Sequence, residues 1–310
     1  MSGLAEIAQD YLRLRRSLGH KLAGAGRLLP RFVAFLDAAG APTVTTELAL
    51  AWAQQPDAKP GSYVHGQRMT IARGFARHLA GIDGRTEIPP LGLLLMPRMH
   101  RRNPYLYSRS DVAALLDQAR TTLRPALRAA TYETLIGLLA VTGMRVGEAL
   151  RLDLRDVDLA SGVITVLDTK FGKTRQLPLH ASTVQALSAY VDRRDAFPRS
   201  AATPSFFVSL AGTRMLYVSV HATFQKLLTQ TGVGNASVVV PRLHDLRHSF
   251  AVATLITWYR NGDDVQARLP RLSTYLGHSE PRYTYGYLSA APELLTLATQ
   301  RLEEIAGNTR

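Results

Sequence analysis

The sequence contains no cysteine, which excludes disulfide bonds, thiolate metal sites and catalysis by a cysteine nucleophile. It also lacks long apolar runs: the longest, around Leu135–Val141, is far too short to span a bilayer. No basic cluster leads into an apolar core at Met1–Gln9, so the start of the chain does not resemble a signal peptide. We therefore expect a cytoplasmic protein with no membrane partner.

Acidic residues are scarce relative to basic ones. The 310 residues include 37 Lys and Arg against 24 Asp and Glu, which gives a net charge of +13. The surplus is spread along the chain, with 12 basic and 7 acidic residues in the first 100 and the other 25 and 17 beyond them. A surplus of this size favours a polyanionic partner, most often nucleic acid. Charge alone does not distinguish DNA from RNA or from an anionic membrane.

Apolar residues at helical spacing dominate residues 1–84 and predict four helices in an all-helical, basic domain. Thr46 fits the N-cap of the third helix. The fourth helix is predicted from Tyr63 to Ala80, and Arg73 and Arg77 lie on the face opposite its apolar stripe. We expect these two side chains to contact a DNA backbone, which sets register without reading base sequence.

Glycine and proline interrupt this periodicity beyond residue 84, which predicts a linker over residues 85–107 and a second domain over residues 108–310. Ser110 and Asp111 are expected to cap its first helix. Two β-prone segments, Val163–Leu167 and Gln176–Leu179, flank a polar turn that contains glycine and predict a hairpin. Further helices are predicted near residues 182–194, 218–231, 244–258, 264–276 and 292–305, and a short strand at Phe206–Val208. The predicted fold class is mainly α with a small antiparallel β-sheet.

The first motif, TGMRVGEAL, places Gly143 at the end of an apolar helix and Arg145 just before a new one. An arginine at a helix N-terminus adds its donors to free backbone amides, and this combination grips a phosphate. Glu148 follows one turn later and is placed to hold the guanidinium. Taken alone, Arg145 and Glu148 have a simpler interpretation as a surface ion pair.

The second motif, HDLRHSF, opens a helix after Pro241. His244 and Arg247 are three residues apart and share a helix face, so one can donate to a phosphate oxygen while the other handles a proton. A rival role is zinc binding by His244 and His248, which are four residues apart. No glutamate follows His244 and no third ligand is evident, which argues against zinc. A purely structural histidine is the other alternative.

The third motif, LGHSEPRYTYGY, supplies His278 and three tyrosines, Tyr283, Tyr285 and Tyr287. A tyrosine hydroxyl has an ordinary pKa of about 10 and needs help to act as a nucleophile. Neighbouring arginine and histidine groups give that help by stabilising the phenolate and the pentacovalent phosphorus. Tyrosines close to glycine and proline are otherwise packing or surface residues.

Together, and in this order, the motifs resemble those of the tyrosine recombinase (phage integrase) family over residues 105–305. The resemblance implies that Arg145 and Arg247 clamp the scissile phosphate and that Glu148 supports them. The family's nucleophile lies nine residues after the histidine of the LGH motif, which selects Tyr287 among the three tyrosines. The implied catalytic set is Arg145, Lys170, His244, Arg247, His278 and Tyr287.

The resemblance places the catalytic lysine on the hairpin turn, and the segment DTKFGKTRQLPL contains both Lys170 and Lys173. Counting back from the closing strand favours Lys170, with Lys173 as the alternative and as a DNA contact. A mobile ammonium group there would protonate the departing 5′ oxygen. A lysine in a hairpin turn is otherwise a solvated charge.

The family further implies site-specific recombination of double-stranded DNA through a 3′-phosphotyrosyl intermediate and a Holliday junction, with no metal, ATP or other cofactor. It implies a two-domain DNA clamp, in which residues 1–84 are a core-DNA-binding (SAM-like) domain, and a homo-tetramer on two synapsed sites with accessory proteins. Pro292–Ile305 is expected to dock on a neighbouring protomer, or else to cap its own domain. The long connection WYRNGDDVQARLPRLSTY departs from compact family members and favours a mobile-element recombinase.

Three other functions are compatible with parts of the sequence. A type IB topoisomerase shares the tyrosine chemistry but rejoins the same strand. A non-catalytic DNA-binding relative is disfavoured because all six polar positions are present. A metal-dependent nuclease needs clustered carboxylates, and Asp153, Asp156 and Asp158 form the one tempting group in the sequence.

Overall fold

The computed structural model describes residues 3–20, 22–57, 62–94, 103–167, 174–199, 203–278, 280, 282–288 and 292–307. These residues are mainly helical, with one three-stranded antiparallel sheet, which confirms the predicted fold class. The chain divides into two units, Met1–Arg102 and Asn103–Arg310. This division falls inside the segment that the sequence marks as a linker.

Four helices form the first unit: α1 (Gly3–Ser17), α2 (Ala23–Ala38), α3 (Thr46–Ala53) and α4 (Tyr63–Leu79). Their apolar faces enclose one core, in which Phe32 and Phe75 are fully buried. The predicted cap of α3 is wrong by one residue, because Thr45 rather than Thr46 caps the helix. The Thr45 Oγ1 accepts a hydrogen bond from the Leu48 N–H at 3.2 Å.

Helix α4 is buried around most of its circumference, so Arg73 and Arg77 do not share an exposed face. Arg73 is 9% exposed, and its guanidinium donates to three carbonyls of the segment that follows α4. The acceptors are the oxygens of Pro89 at 2.8 Å, Pro90 at 2.9 Å and Leu93 at 3.2 Å. Arg77 is exposed. The predicted basic face is therefore wrong for Arg73, whose donors are used inside the unit.

The second unit begins with two long helices and ends with a group of four. Its first helix is capped by Ser108 in a capping box with Asp111, so the predicted cap is wrong for Ser110, whereas Asp111 does take part in it. The five helices predicted beyond the hairpin are confirmed to within two residues at each end. The helices are α5 (Arg109–Thr122), α6 (Ala126–Thr142), α7 (Val146–Ala149), α8 (Ala181–Asp195), α9 (Tyr217–Thr231), α10 (Asp245–Arg260), α11 (Val265–Leu276), α12 (Arg282–Tyr285) and α13 (Pro292–Gly307).

The sheet contains β1 (Val157–Asp158), β2 (Val163–Val166) and β3 (Arg175–Pro178), all antiparallel and in sequential order. The β2–β3 pairing confirms the predicted hairpin, with Val166 opposite Arg175 next to the turn. Strand β1 was not predicted from the sequence. The segment Phe206–Val208 is not a full strand; Val208 forms a single antiparallel bridge with Arg214.

Two apolar clusters hold the second unit together. The larger one surrounds α6 and reaches the sheet and α9, with Leu135 and Phe224 fully buried. The smaller one joins α10, α11 and α13 through Leu255, Leu276 and Leu294. Helix α13 thus packs on its own domain in this structure, the second of the two arrangements considered for it. No helix in the described ranges is long and apolar enough to cross a membrane.

We predict that Arg73→Leu lowers the free energy of unfolding of the first unit by about 2–4 kcal/mol, because three carbonyls, of which that of Pro89 is buried, lose a charged donor. The matched substitution Arg77→Leu should change it by less than about 0.5 kcal/mol, because Arg77 is exposed. Urea unfolding of the full chain, followed through Trp52 fluorescence in a Trp258→Phe background, measures both. Equal effects of the two substitutions would contradict the structural role given to Arg73.

Candidate active site

The end of α6 places the first arginine of the site. Helix α6 stops at Gly143, whose φ of 59° is left-handed, and a Cβ atom there would overlap the Phe250 ring. The chain then turns through Arg145, which precedes α7 as its N-cap residue. The Gly143 carbonyl accepts a hydrogen bond from the Arg247 Nη1 at 2.8 Å. One glycine turn therefore fixes Arg145 and contacts Arg247.

A buried carboxylate holds Arg145. The Arg145 Nη1 donates to the Glu148 Oε1 at 2.8 Å, and its backbone N–H donates to Oε2 at 2.9 Å. The Arg145 side chain remains 34% exposed, whereas that of Glu148 is 3% exposed. The guanidinium is thus anchored on its protein side and open on the other. The predicted contact between these two residues is present.

A second arginine, which the sequence interpretation overlooked, shares the same carboxylate. Arg175 is the first residue of β3, and its Nη1 and Nη2 donate to the Glu148 Oε1 and Oε2 at 3.2 and 2.7 Å. Burial raises the pKa of the Glu148 carboxyl, but the hydrogen bonds and charges of Arg175 and Arg145 outweigh it and lower that pKa to about 2. Glu148 is therefore a carboxylate at neutral pH.

Arg247 lies deeper than Arg145. It is 2% exposed, and its Nη2 donates to the Leu276 carbonyl at 2.6 Å. Burial lowers its pKa to about 10, while the adjacent Tyr287 phenol opposes this shift. Arg247 stays charged at neutral pH and lies beside the predicted nucleophile.

Three guanidiniums meet at the C-terminal end of α11. The Arg175 Nε donates to the Tyr275 carbonyl at 2.7 Å, the Arg247 Nη2 to that of Leu276 at 2.6 Å, and the Arg145 Nη2 to that of Gly277 at 2.8 Å. The last carbonyls of a helix have no partner within the helix and carry partial negative charge. They therefore draw the three arginines into one cluster.

His278 follows this turn and is positioned by a buried hydroxyl. Its Nδ1 lies 2.7 Å from the Oγ1 of Thr284, which is fully buried. Burial and the positive charges of Arg247 and Arg145 lower the pKa of His278 to about 3. A neutral imidazole that accepts from Thr284 at Nδ1 carries its proton on Nε2, which makes Nε2 a hydrogen-bond donor.

The predicted nucleophile lies among these groups. Tyr287 is 5% exposed, whereas Tyr283 and Tyr285 are 36% and 51% exposed. The Tyr287 ring stacks 5.9 Å from that of His278 and meets the His248 ring edge-on at 5.4 Å. Of the three tyrosines, Tyr287 is the one close enough to Arg247 to influence the pKa of its guanidinium.

His244 stands at the exposed side of the cluster, directly before α10. Its ring is 4.9 Å from that of His248, and the surrounding protein together with Arg247 lowers its pKa. Within the described ranges, no three His, Asp or Glu side chains are close enough to hold a metal ion. The structure thus gives His244 and His248 no described third ligand for zinc.

The three aspartates weighed as a nuclease site serve as local structural acceptors. Asp153 accepts from the Arg214 Nη2 at 2.5 Å, and Asp156 accepts from the Asp153 N–H at 2.9 Å. Asp158 accepts from the backbone amides of its own turn. Lys170 and Lys173 lie outside the described residues, so the structure does not choose between them.

Comparison with known proteins identifies the family. The model of the phage integrase family matches residues 107–293, more than half of the chain. The chain belongs to the phage integrase family. It is 46% identical to the putative integrase/recombinase y4rB of Sinorhizobium fredii, over 98% of each chain. It is 29% identical to the tyrosine recombinase XerC of Pelobacter propionicus, over 89% of this chain and 87% of that relative.

Solved structures show the same fold. The integrase of transposon Tn1549, in complex with transposon right end DNA, matches 97% of this chain and 99% of its own, with a TM-score of 0.64 and 18% identity. The site-specific recombinase XerH, bound to a palindromic difH substrate, matches 84% of this chain and 70% of its own, with a TM-score of 0.59 and 20% identity. The chain is thus a tyrosine-type, site-specific DNA recombinase by family and has the two-unit fold of its structural neighbours.

The sequence analysis missed two residues of the site, Arg175 and Thr284. For Arg175 the sequence pattern contains a signal that could have found it. Strand β3 alternates, so Arg175 shares the inward side with Leu177, which is fully buried. A charge on the buried side of a strand requires a partner of opposite sign, and this requirement points to a buried carboxylate such as Glu148. Thr284 carries no comparable signal, because a threonine between two tyrosines is unremarkable.

The lowered pKa of His278 predicts how stability depends on pH. Its folded pKa of about 3 lies below the ordinary value of 6.5, so the unfolded chain binds the extra proton between these values. Stability is therefore fully present above pH 6.5 and declines as the pH falls through that window. We expect His278→Asn to reduce the loss between pH 6.5 and 5.5 by roughly 0.5–1 kcal/mol, a range that allows for partial solvent screening.

Urea unfolding at pH 7.0, 6.5 and 5.5, followed through Trp258 fluorescence in a Trp52→Phe background, measures this slope. His244, whose pKa is also lowered, keeps part of the slope in the variant. Identical slopes in the parent protein and His278→Asn would contradict the prediction.

Proposed function

We propose that this recombinase cuts DNA through attack of the Tyr287 hydroxyl on a phosphodiester, which leaves a 3′-phosphotyrosyl bond and a free 5′ hydroxyl. The observation that supports this most directly is the position of the buried Tyr287 phenol, which lies beside the Arg247 guanidinium and between the His278 and His248 rings. A phosphate beside that guanidinium would lie within reach of the phenol. The cluster thus combines a nucleophile with cations that stabilise the pentacovalent phosphorus.

The other groups have separate roles in this proposal. Arg145 and Arg247 donate to the non-bridging oxygens, and so does the His278 Nε2. His244, at the exposed side, assists removal of the phenolic proton as the O–P bond forms. Lys170 on the hairpin turn protonates the 5′ oxygen as the P–O bond to it breaks. The products are a phosphotyrosine linkage and a neutral 5′ hydroxyl.

Rejoining is the reverse reaction with a different strand. A 5′ hydroxyl of the partner duplex attacks the phosphotyrosine, so that strands exchange without hydrolysis and a Holliday junction forms midway. Because the covalent link conserves the energy of the phosphodiester, the reaction requires neither ATP nor a metal ion. The chain supplies all the groups that such a transfer needs.

Double-stranded DNA is the proposed partner. The net charge of +13 favours it, and the two structural neighbours described above were solved with DNA bound. We propose that the two units grip the duplex as a clamp, with Arg77 and Lys173 on its backbone, and that four copies act on two synapsed sites with accessory proteins. The full-length likeness to a transposon integrase favours a mobile element as the host.

We predict that Tyr287→Phe abolishes covalent attachment to DNA but leaves the affinity for DNA within about threefold, because only the reacting oxygen is lost. The substrate is a nicked duplex that carries a site selected from a random pool by binding to the wild-type protein. Attachment is measured as a band that resists denaturing gel electrophoresis. Tyr285→Phe is the control and should attach normally.

Loss of attachment in Tyr285→Phe but not in Tyr287→Phe would overturn the assignment of the nucleophile. Relaxation of supercoiled plasmid by the wild type without recombinant product would favour the topoisomerase alternative. Attachment that requires added Mg²⁺ would contradict the metal-independent mechanism.

Substrates with a 5′-phosphorothiolate leaving group test the lysine, because a departing thiolate needs no proton. We expect Lys170→Ala to cleave a normal substrate at least about 100-fold more slowly than wild type and to recover most of the rate on the thio substrate. Lys173→Ala should lower the affinity for DNA without such rescue. Rescue of Lys173→Ala instead would transfer the role of general acid to Lys173.

A further inference from the structure

We propose that Arg175 is a positioning residue for DNA cleavage: it holds Glu148 and the end of α11 so that Arg145 keeps its place and faces the scissile phosphate as part of a group with net positive charge. This inference rests on the proposed function and extends it to a residue outside the six catalytic positions. Four features of the structure support it.

The first feature is how completely Arg175 is engaged. Its side chain is 8% exposed, and Nε, Nη1 and Nη2 all donate to oxygens, the first to the Tyr275 carbonyl and the other two to Glu148. Unlike Arg247, whose Nη atoms bond to neutral carbonyls, Arg175 has both Nη atoms paired with a carboxylate, so its charge is not presented directly to a bound phosphate. Arg175 therefore acts through its neighbours and is not a catalytic residue itself.

The second feature is the division of the Glu148 carboxylate. Oε1 accepts from both Arg145 and Arg175, and Oε2 accepts from Arg175 and from the Arg145 backbone. Arg175 supplies the two-pronged contact, whereas the Arg145 side chain supplies one hydrogen bond. Without Arg175, the buried carboxylate would draw the Arg145 guanidinium fully onto itself, away from the open side of the cluster.

The third feature is charge. Arg145 and Glu148 alone form a pair with no net charge, which attracts a phosphate weakly. Arg175 restores one positive charge to this group, and its side chain and that of Glu148 are 8% and 3% exposed, so the charge is poorly screened by water. The group that faces the phosphate through Arg145 is therefore cationic because Arg175 is present.

The fourth feature is the fit between Arg175 and the LGH turn. Gly277 has a φ of 66°, and a Cβ atom built on it would lie 2.8 Å from the Arg175 Nη1 and 3.1 Å from its Cζ. The guanidinium therefore lies directly against the glycine backbone. The Gly277 carbonyl accepts a hydrogen bond from Arg145. Arg175 therefore packs against the same turn to which Arg145 is bonded.

We expect Arg175→Gln to misalign Arg145 and to remove the net positive charge of the group that Arg145 and Glu148 form with residue 175. A small displacement of a group that contacts the transition state costs about 100-fold in rate, and we expect a loss of that size in single-turnover cleavage. Arg175→Lys keeps the charge but not the fork, and its rate should fall between those of wild type and Arg175→Gln. DNA affinity should change by less than about threefold, because the Arg175 side chain is 8% exposed and its donors bond to protein oxygens.

A double-mutant cycle with Glu148→Gln separates positioning from a general loss of stability. If Arg175 acts through Glu148, its removal should slow Glu148→Gln by less than about threefold, compared with about 100-fold in the wild-type background. Fold losses that simply multiply would overturn the proposal. The probe is the nicked duplex with the selected site, and near-ultraviolet circular dichroism of each variant checks that it is folded.

The pH dependence of the cleavage rate is a second test, because the loss of a residue with only a structural role would not change it. Loss of Arg175 removes the strongest partner of the Glu148 carboxylate, so its pKa rises and it becomes protonated at higher pH. The ratio of cleavage rates at pH 8 and pH 6 should therefore be several-fold larger in Arg175→Gln than in wild type. That increase should vanish when Glu148→Gln is also present. An unchanged ratio in a folded Arg175→Gln would contradict the proposal.

Arg214→Gln is the matched control. Arg214 also joins a carboxylate, that of Asp153, to the backbone carbonyls of Leu150 and Leu152, but it is bonded to none of the catalytic groups. It should leave the pH ratio as in wild type. If Arg175→Gln does not fold, the proposal is tested with Arg175→Lys instead. The same two measurements apply: the ratio of cleavage rates at pH 8 and pH 6, and the double-mutant cycle with Glu148→Gln.

The outcomes separate this inference from the proposed function. A wild-type protein that forms no covalent adduct on its selected site refutes the proposed function. A wild-type protein that forms the adduct, together with an Arg175→Gln that cleaves at the wild-type rate, refutes only the role of Arg175.

Discussion

The site depends on one interaction: three successive carbonyls at the end of α11 each accept a hydrogen bond from a different arginine. Tyr275, Leu276 and Gly277 hold Arg175, Arg247 and Arg145 in that order. These arginines come from a strand, a helix and a helix-capping position that are far apart in sequence. The partial negative charge of the helix end offsets the repulsion between three cations and gives each a fixed direction. The remaining groups of the site surround this cluster of three arginines.

One buried carboxylate completes the electrostatic balance. Glu148 carries a single negative charge between Arg145 and Arg175, so these three guanidiniums and one carboxylate leave a surplus of two positive charges, to which His244 and His278, with their lowered pKa values, add none at pH 7. A surplus held by fixed hydrogen bonds is already oriented before DNA arrives. Preorganised charge of this kind contributes to catalysis because no rearrangement is needed as charge develops on the phosphate.

The sequence predicted the elements better than the environments of individual side chains. Helical periodicity located the helices beyond the hairpin, and the resemblance to the family's motif selected Tyr287, which the structure buries beside Arg247. Arg73 was misjudged because α4 is buried on nearly all sides, so that its single apolar stripe was a poor guide. The role of Arg175 depends on contacts with residues 27 and 100 positions away, and local pattern does not encode such contacts.

The most direct test of the account is to identify the residue that carries DNA after cleavage. The protein is trapped on the nicked duplex and digested with trypsin, and the peptide that follows Arg282 is sequenced by mass spectrometry with its nucleotide remnant attached. The account predicts a remnant bonded to the Tyr287 oxygen through a 3′ phosphate. A remnant on Tyr283 or Tyr285, or one attached through a 5′ phosphate, would contradict it.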